Sequence, residues 1–255
     1  MSSSIWTRCA GISNAQPLRA RAIRVVESQH HVSTRRLVDD LDEQALLEEL
    51  IEKVKPAIPG PLARRGLHYL LFTPFRHPPL RHGSRFGVRR ERGIWYGALT
   101  TETAFAEVAY YRLLFLQGTR AKLQTVRVDL SAFCVRIAAK TGIDLTAEPF
   151  RQFRSRISSK TSYQSTQPLG KAMRADGVEA ALFESARCPS GGTNIALIAP
   201  VFAEKTPRGL STWRCLATRD YVELVTLSEP SAQQLRFSRE QFLVGGNMPA
   251  PGWDT

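Results

Sequence analysis

The stretch Ile94-Trp95-Tyr96-Gly97-Ala98-Leu99-Thr100-Thr101-Glu102-Thr103-Ala104-Phe105-Ala106-Glu107 changes its hydrophobic period partway along, and that change sets the fold class. Ile94–Leu99 is a short run of aromatic and aliphatic residues, which predicts a strand. Thr100 or Thr101 then offers a side-chain oxygen as a helix cap, and Glu102 complements the positive end of the helix dipole. Ala104, Val108, Tyr111 and Phe115 recur at helical spacing, so a helix is expected through Leu116. Glu107 and Tyr111 lie four residues apart and share a face of that helix, whereas Tyr110 points elsewhere. A carboxylate on an apolar stripe is costly unless it is paired. A salt bridge from Glu107 to Arg112 or Arg127 is the plainest structural explanation, and a catalytic carboxylate is the functional one.

Working outward, Val32 to Pro56 reads as a helix capped by Ser33 or Thr34, with Leu37, Leu41, Leu46, Leu47, Leu50, Ile51 and Val54 as its apolar stripe. Pro56, Pro59, Gly60 and Pro61 break it, which predicts an N-terminal helical extension over 1–60 and a main domain over 61–255. Leu67–Phe72, between Gly66 and Pro74, reads as a buried strand, followed by an Arg-, Pro- and Gly-rich loop to Gly93. Gln124–Leu130 alternates as a half-buried strand, and Phe150–Lys160 is a helix or an exposed loop. Pro168–Asp176 is a short helix ending at Gly177. Ala180–Arg187 is a strand entering the turn Pro189-Ser190-Gly191-Gly192, and Asn194–Val201 is another strand. Short strands interleaved with helices favour an α+β fold with mostly antiparallel pairing.

The 255 residues carry a net charge of +12 and are 43% apolar, enough for a substantial core. Residues 1–60 are neutral, while 61–128 carry +9 and 129–175 carry +5. Such a field attracts a phosphate-bearing ligand, a nucleic acid or an acidic protein, and charge alone does not rank them. A basic nucleic-acid-binding module is therefore an alternative, although no helix-turn-helix, zinc-finger or RNP pattern accompanies the basic loop. Neither G-x-G-x-x-G after a strand nor G-x-x-x-x-G-K-[ST] occurs, so a nucleotide would be held by something other than a Rossmann or P-loop cradle. No apolar run approaches the roughly 20 residues a spanning helix needs, and no targeting pattern opens the chain. Cys9, Cys134, Cys188 and Cys215 are widely spaced without C-x-x-C, which points to a reduced, cytoplasmic setting. His77 and His82 have poor ligand spacing, and no metal is assigned.

Five further residues stand out. Arg85 lies in Gly83-Ser84-Arg85-Phe86-Gly87, where backbone can approach a ligand while the guanidinium forks onto phosphate oxygens. Tyr96 could stack on a planar base or belong to the core. Ser185 and Arg187 precede the glycine turn and Asn194; a serine at a strand end can donate to a substrate hydroxyl, and the turn can offer N–H groups to an anion. No G-x-S-x-G surrounds Ser185, which argues against a serine nucleophile, and Cys188 before a proline reads as inert.

Taken in order, several segments resemble the RES-domain family, named for its Arg, Glu and Ser signature residues. They are Leu71-Phe72-Thr73-Pro74-Phe75-Arg76, Gly83-Ser84-Arg85-Phe86-Gly87, Trp95-Tyr96-Gly97-Ala98, Thr103-Ala104-Phe105-Ala106-Glu107, and Glu184-Ser185-Ala186-Arg187 with Asn194. They span about 65–205. The resemblance implies an ADP-ribosyltransferase-like split β core and a toxin that consumes NAD+ as substrate, by hydrolysis or phosphorolysis, without a prosthetic group. It also implies an Xre-like antitoxin as partner, through which alone nucleic acid would be contacted. An enzyme that transfers ADP-ribose to a protein or nucleic acid is the neighbouring possibility. Matched residue by residue, Arg85, Tyr96, Glu107 and Ser185 become catalytic candidates, with Arg187 and Asn194 among the substrate-binding ones. The chain departs from the family at Phe183-Glu184, where tyrosine-proline usually precedes the signature serine.

Overall fold

The described residues form eight strands: β1 (Gln16–Glu27), β2 (Trp95–Ala98), β3 (Thr125–Asp144), β4 (Ala180–Glu184), β5 (Thr193–Leu197), β6 (Arg208–Thr218), β7 (Tyr221–Thr226) and β8 (Gln234–Ser238). Seven α-helices accompany them: α1 (Ile5–Arg8), α2 (Leu41–Val54), α3 (Gly60–Ala63), α4 (Tyr69–Arg76), α5 (Thr101–Gly118), α6 (Arg154–Ile157) and α7 (Thr166–Ala175). These come from a computed structural model that describes residues 4–28, 40–63, 65–79, 81–121, 123–226 and 232–251.

The strands form one sheet in the order β1-β2-β5-β4-β3-β6-β7-β8, antiparallel except for β3 with β4. A second edge of β1 pairs with β3 over Gln16–Glu27, so β1, β2, β5, β4 and β3 close a ring, from which β6, β7 and β8 extend. β3 is the long member. Its start pairs with β6, its middle lies between β6 and β1, and its end runs beside β4. Among the described residues the fold is α+β and mostly antiparallel, as expected, and no helix is long and apolar enough to cross a membrane.

α5 lies against this sheet, with Phe105, Ala109, Leu113 and Leu116 packing into a core with Leu130, Trp213, Val222 and Phe242. Its start matches expectation: Thr100 Oγ1 accepts from the Thr103 N–H at 3.2 Å. The buried face does not follow the expected stripe. Tyr111 and Phe115 are exposed, and Tyr110 is buried, because α5 is covered on its flanks by several strands at once.

Three other expectations change. Leu67–Phe72 is not a strand: His68 Nδ1 accepts from the Leu70 N–H and starts α4, whose Leu71 and Phe75 are buried. Pro74 inside α4 hid the helix, since a proline normally ends one. The first 60 residues are not a purely helical extension, because β1 is a full strand of the ring. The helix read from Val32 begins at Leu41, where Asp40 Oδ1 accepts from the N–H groups of Asp42 (2.9 Å) and Glu43 (2.8 Å). The expected caps Ser33 and Thr34 and the apolar Leu37 lie outside the described residues.

Candidate active site

Gly83 to Gly87 forms a tight turn in which the Ser84 N–H donates to Gly87 O at 2.7 Å. Gly83 has φ +75°, and a Cβ there would stand 2.4 Å from Gly87 O, so the turn requires glycine. It drives Phe86 into the core edge-on to Phe183, with centroids 5.0 Å apart, and sends Arg85 into a cleft. Arg85 is buried: Nη1 donates to Ile157 O at 2.8 Å, Nη2 donates to Ser159 O at 3.1 Å, and the guanidinium lies 5.2 Å from the Tyr163 ring centre. A guanidinium carries five N–H donors, so the backbone fixes its plane and leaves donors for a ligand.

Tyr96, on β2, holds this turn from below. Its hydroxyl accepts from the Phe86 N–H at 3.2 Å and shares a 3.0 Å hydrogen bond with Ser84 Oγ. Burial pushes that hydroxyl up to about 12, so it stays protonated. The ring forms part of the cleft wall, edge-on to Phe183, which makes Tyr96 a positioning residue for Arg85.

Glu107 is held by neutral donors. Its Oε1 accepts from Ser185 Oγ at 2.7 Å and from Asn194 Nδ2 at 2.6 Å. Arg112, its expected ion-pair partner, binds Glu27 instead, and neither Arg112 nor Arg127 lines the cleft. Two neutral hydrogen bonds orient the carboxylate without cancelling its charge.

Ser185 follows β4, and its hydroxyl is fully used. Besides donating to Glu107, Oγ accepts from the N–H groups of Arg187 (3.1 Å) and Cys188 (3.0 Å). A hydroxyl has one proton and two lone pairs, so none remains for the substrate hydroxyl that a strand-end serine was expected to meet. Ser185 positions Glu107. Asn194, on β5, stands opposite Phe183 on one side and Ala98 on the other, so the sheet register carries it to Glu107. Arg187 is buried with its guanidinium 3.6 Å from the Tyr110 ring centre, and Nη2 donates to Lys160 O at 3.0 Å.

These side chains surround a cavity of about 520 Å³ lined by Arg24, Arg85, Arg187, Glu107, Tyr163 and Asn194 among others. Three arginines and one carboxylate make it suited to a ligand with an anionic part and a cationic centre. Arg24 and Tyr163 were not singled out from sequence. Arg24 projects from β1, where its Nη1 donates to Tyr96 O at 2.8 Å, and desolvation pulls the guanidinium down to about 10. The alternation of Leu18, Ala20 and Ala22 with Arg19 and Arg21 was the available signal for that strand.

The glycine turn does not line this cavity. Gly191 N–H donates to Cys188 O at 3.1 Å, and the missing Cβ of Gly192 makes room for Thr103 Oγ1 at the start of α5, 1.9 Å from where it would be. The turn therefore docks α5, and Cys188 lies buried behind it. Glu184 pairs with Arg154 at 2.6 Å, away from the cavity. Among the described residues no three His, Cys, Asp or Glu side chains converge as a metal-ligand set.

Comparison with curated proteins found no match. The RES domain family model matches residues 61–240, which includes Arg85, Tyr96, Glu107, Ser185, Arg187 and Asn194 and covers well over half of the chain. With the resemblance of its motifs borne out over that span, the chain belongs to the RES-domain family.

Proposed function

We propose that this protein cleaves the nicotinamide–ribose bond of NAD+ and acts as the toxin of a toxin–antitoxin pair, on an ADP-ribosyltransferase-like core. The observation that carries the reading is Glu107 Oε1, held by Ser185 and Asn194 on the wall of an arginine-lined cavity. Small-molecule sites usually enclose roughly 300–1,000 Å³, and this cavity of about 520 Å³ lies in that range.

The chemistry asks little else of the protein. As the glycosidic bond breaks, its electron pair passes to the ring nitrogen, and nicotinamide leaves neutral without a general acid. The ribosyl carbon left behind is oxocarbenium-like, and a fixed carboxylate stabilises it because the charge develops beside Glu107. Arg85 and Arg24 hold the diphosphate, drawn in by the positive field of residues 61–175. Water or inorganic phosphate then attacks the same carbon, with Glu107 orienting the nucleophile. Family membership supports an Xre-like antitoxin as the protein partner.

The test is nicotinamide release from NAD+ by pure protein, with and without phosphate, with products separated by chromatography. ADP-ribose identifies hydrolysis, its 1-phosphate identifies phosphorolysis, and radiolabel fixed on a macromolecule identifies transfer. Absence of nicotinamide in every buffer and at every enzyme level refutes the reading.

A further inference from the structure

Besides Nε of Arg24, two buried polar atoms of residues lining the Glu107 cavity have no hydrogen-bond partner among the described residues: Nη1 of Arg187 and Oδ1 of Asn194. Arg187 is 4% exposed and Asn194 4% exposed, and both line the cavity. Stranding such groups without a partner is expensive, so each calls for something that completes its bonding. One atom is an obligatory donor and the other an acceptor. The assignment of the Asn194 amide is not arbitrary, since its Nδ2 must face Glu107 Oε1, which as a carboxylate can only accept.

Both residues belong to the hydrogen-bonded cluster around the carboxylate, Asn194 through its side chain and Arg187 through its backbone N–H. Asn194 Nδ2 donates to Glu107 Oε1, Ser185 Oγ donates to the same oxygen, and the Arg187 N–H donates to Ser185 Oγ. A group that bonds both lies in the same cavity as Glu107. It must present an acceptor to Arg187 and an N–H to Asn194.

We infer that Arg187 and Asn194 read the carboxamide of the leaving nicotinamide: its C=O accepts from Arg187 Nη1 and its NH₂ donates to Asn194 Oδ1. The inference rests on the NAD+ reading for its substrate and adds a selectivity to it. A ligand whose amide is replaced by a carboxylate has nothing to donate to Asn194 and sets a second negative charge beside Glu107. Arg187 attracts that carboxylate, but Glu107 and the lone pairs of Asn194 Oδ1 repel it. A site built around a substrate N–H discriminates strongly against an analogue that lacks it.

The experiment compares kcat/KM of the wild-type protein on three dinucleotides: NAD+, its 3-acetylpyridine analogue and its nicotinic acid analogue. The acetyl analogue is neutral and keeps the carbonyl but loses the N–H, so it isolates Asn194. Expected is a loss of about tenfold for the acetyl analogue, from one stranded acceptor, and of about 100-fold or more for the acid. In parallel, saturation-transfer NMR measures binding of free nicotinamide, 3-acetylpyridine and nicotinate, which needs no turnover. Equal kcat/KM for the three dinucleotides, or equal binding of the three bases, overturns the inference. Selective binding of nicotinamide by a protein that leaves NAD+ intact upholds it while refuting the proposed reaction.

Discussion

Replacing Ser185 with alanine separates the positioning role of this residue from catalysis. The substitution removes three hydrogen bonds: one to Glu107 Oε1 at 2.7 Å, and those from the backbone N–H groups of Arg187 at 3.1 Å and Cys188 at 3.0 Å. Arg187 and Cys188 are 4% and 6% exposed, so water does not replace the lost acceptor for their N–H groups. Each stranded donor costs about 1–3 kcal/mol, giving a loss of roughly 2–4 kcal/mol after modest relaxation of the turn. For a chain of this size that lowers Tm by about 5–15 °C. Glu107 keeps only the Asn194 donor, so its carboxylate wanders and kcat for nicotinamide release falls about 10–100-fold. KM changes little, because the carboxylate acts on charge that develops in the transition state. Ser185→Thr, which keeps the hydroxyl, recovers most of both losses. Urea unfolding and initial-rate kinetics on the same preparations check these values. A Ser185→Ala protein as stable as wild type to within about 0.5 kcal/mol, with unchanged kcat, refutes the reasoning.

Glu107→Gln keeps the size and hydrogen bonding of the side chain but not its charge, and lowers kcat by roughly 100–1,000-fold with an unchanged circular dichroism spectrum; wild-type rates exclude Glu107 as the electrostatic centre. Tyr96→Phe removes the hydroxyl that accepts from Phe86 and meets Ser84, and costs about 1–2 kcal/mol in urea unfolding. With the folded Tyr96 hydroxyl raised to about 12, its stabilisation is fully present below pH 10 and is lost as pH rises through 12; the loss is about 2–3 kcal/mol, so the phenylalanine variant shows a shallower alkaline decline. Gly192→Ala sets a methyl 1.9 Å from Thr103 Oγ1 and lifts the turn from α5, at a cost of about 1–3 kcal/mol by thermal melting.

The parts of the fold written in local signals were legible. The strand at Trp95, the Thr100 cap and the helix bearing Glu107 each announce themselves within a few residues, and the structure places them where the pattern puts them. What escaped was decided by distant neighbours. Ser131, Ala132 and Phe133 on β3 are all buried because both faces of that stretch are packed, Ala132 in the core with α5 and Phe133 in the core with Leu71 and Trp95, so the alternation used to read a half-buried strand disappears there. α4 was mistaken for a strand because a run as short as Tyr69–Phe72 has no resolvable period and Pro74 argued against a helix. In the site, Arg85, Tyr96, Glu107, Ser185, Arg187 and Asn194 were all picked out, and the structure brings them together. Their roles were less visible. Ser185 looks like a substrate contact until its hydroxyl is seen to be saturated, and Arg24 belongs to a strand whose partner lies more than 100 residues away.

The closure of the strand ring by β1 has a consequence for how a nascent chain acquires this structure. β1 spans residues 16–27, yet its main partner is residues 130–142 of β3. More than half of the polypeptide must therefore leave the ribosome before the first strand finds its edge, and β5 must follow before the ring is complete. Contacts of such long range are slow to form, since loop closure precedes any compensating interaction. Arg24, Glu107 and Asn194 come from segments made early, midway and late, so the cavity assembles only near the end of synthesis. A truncated chain that stops before residue 193 lacks Asn194 and the strand that carries it, and is inert whatever else it has folded.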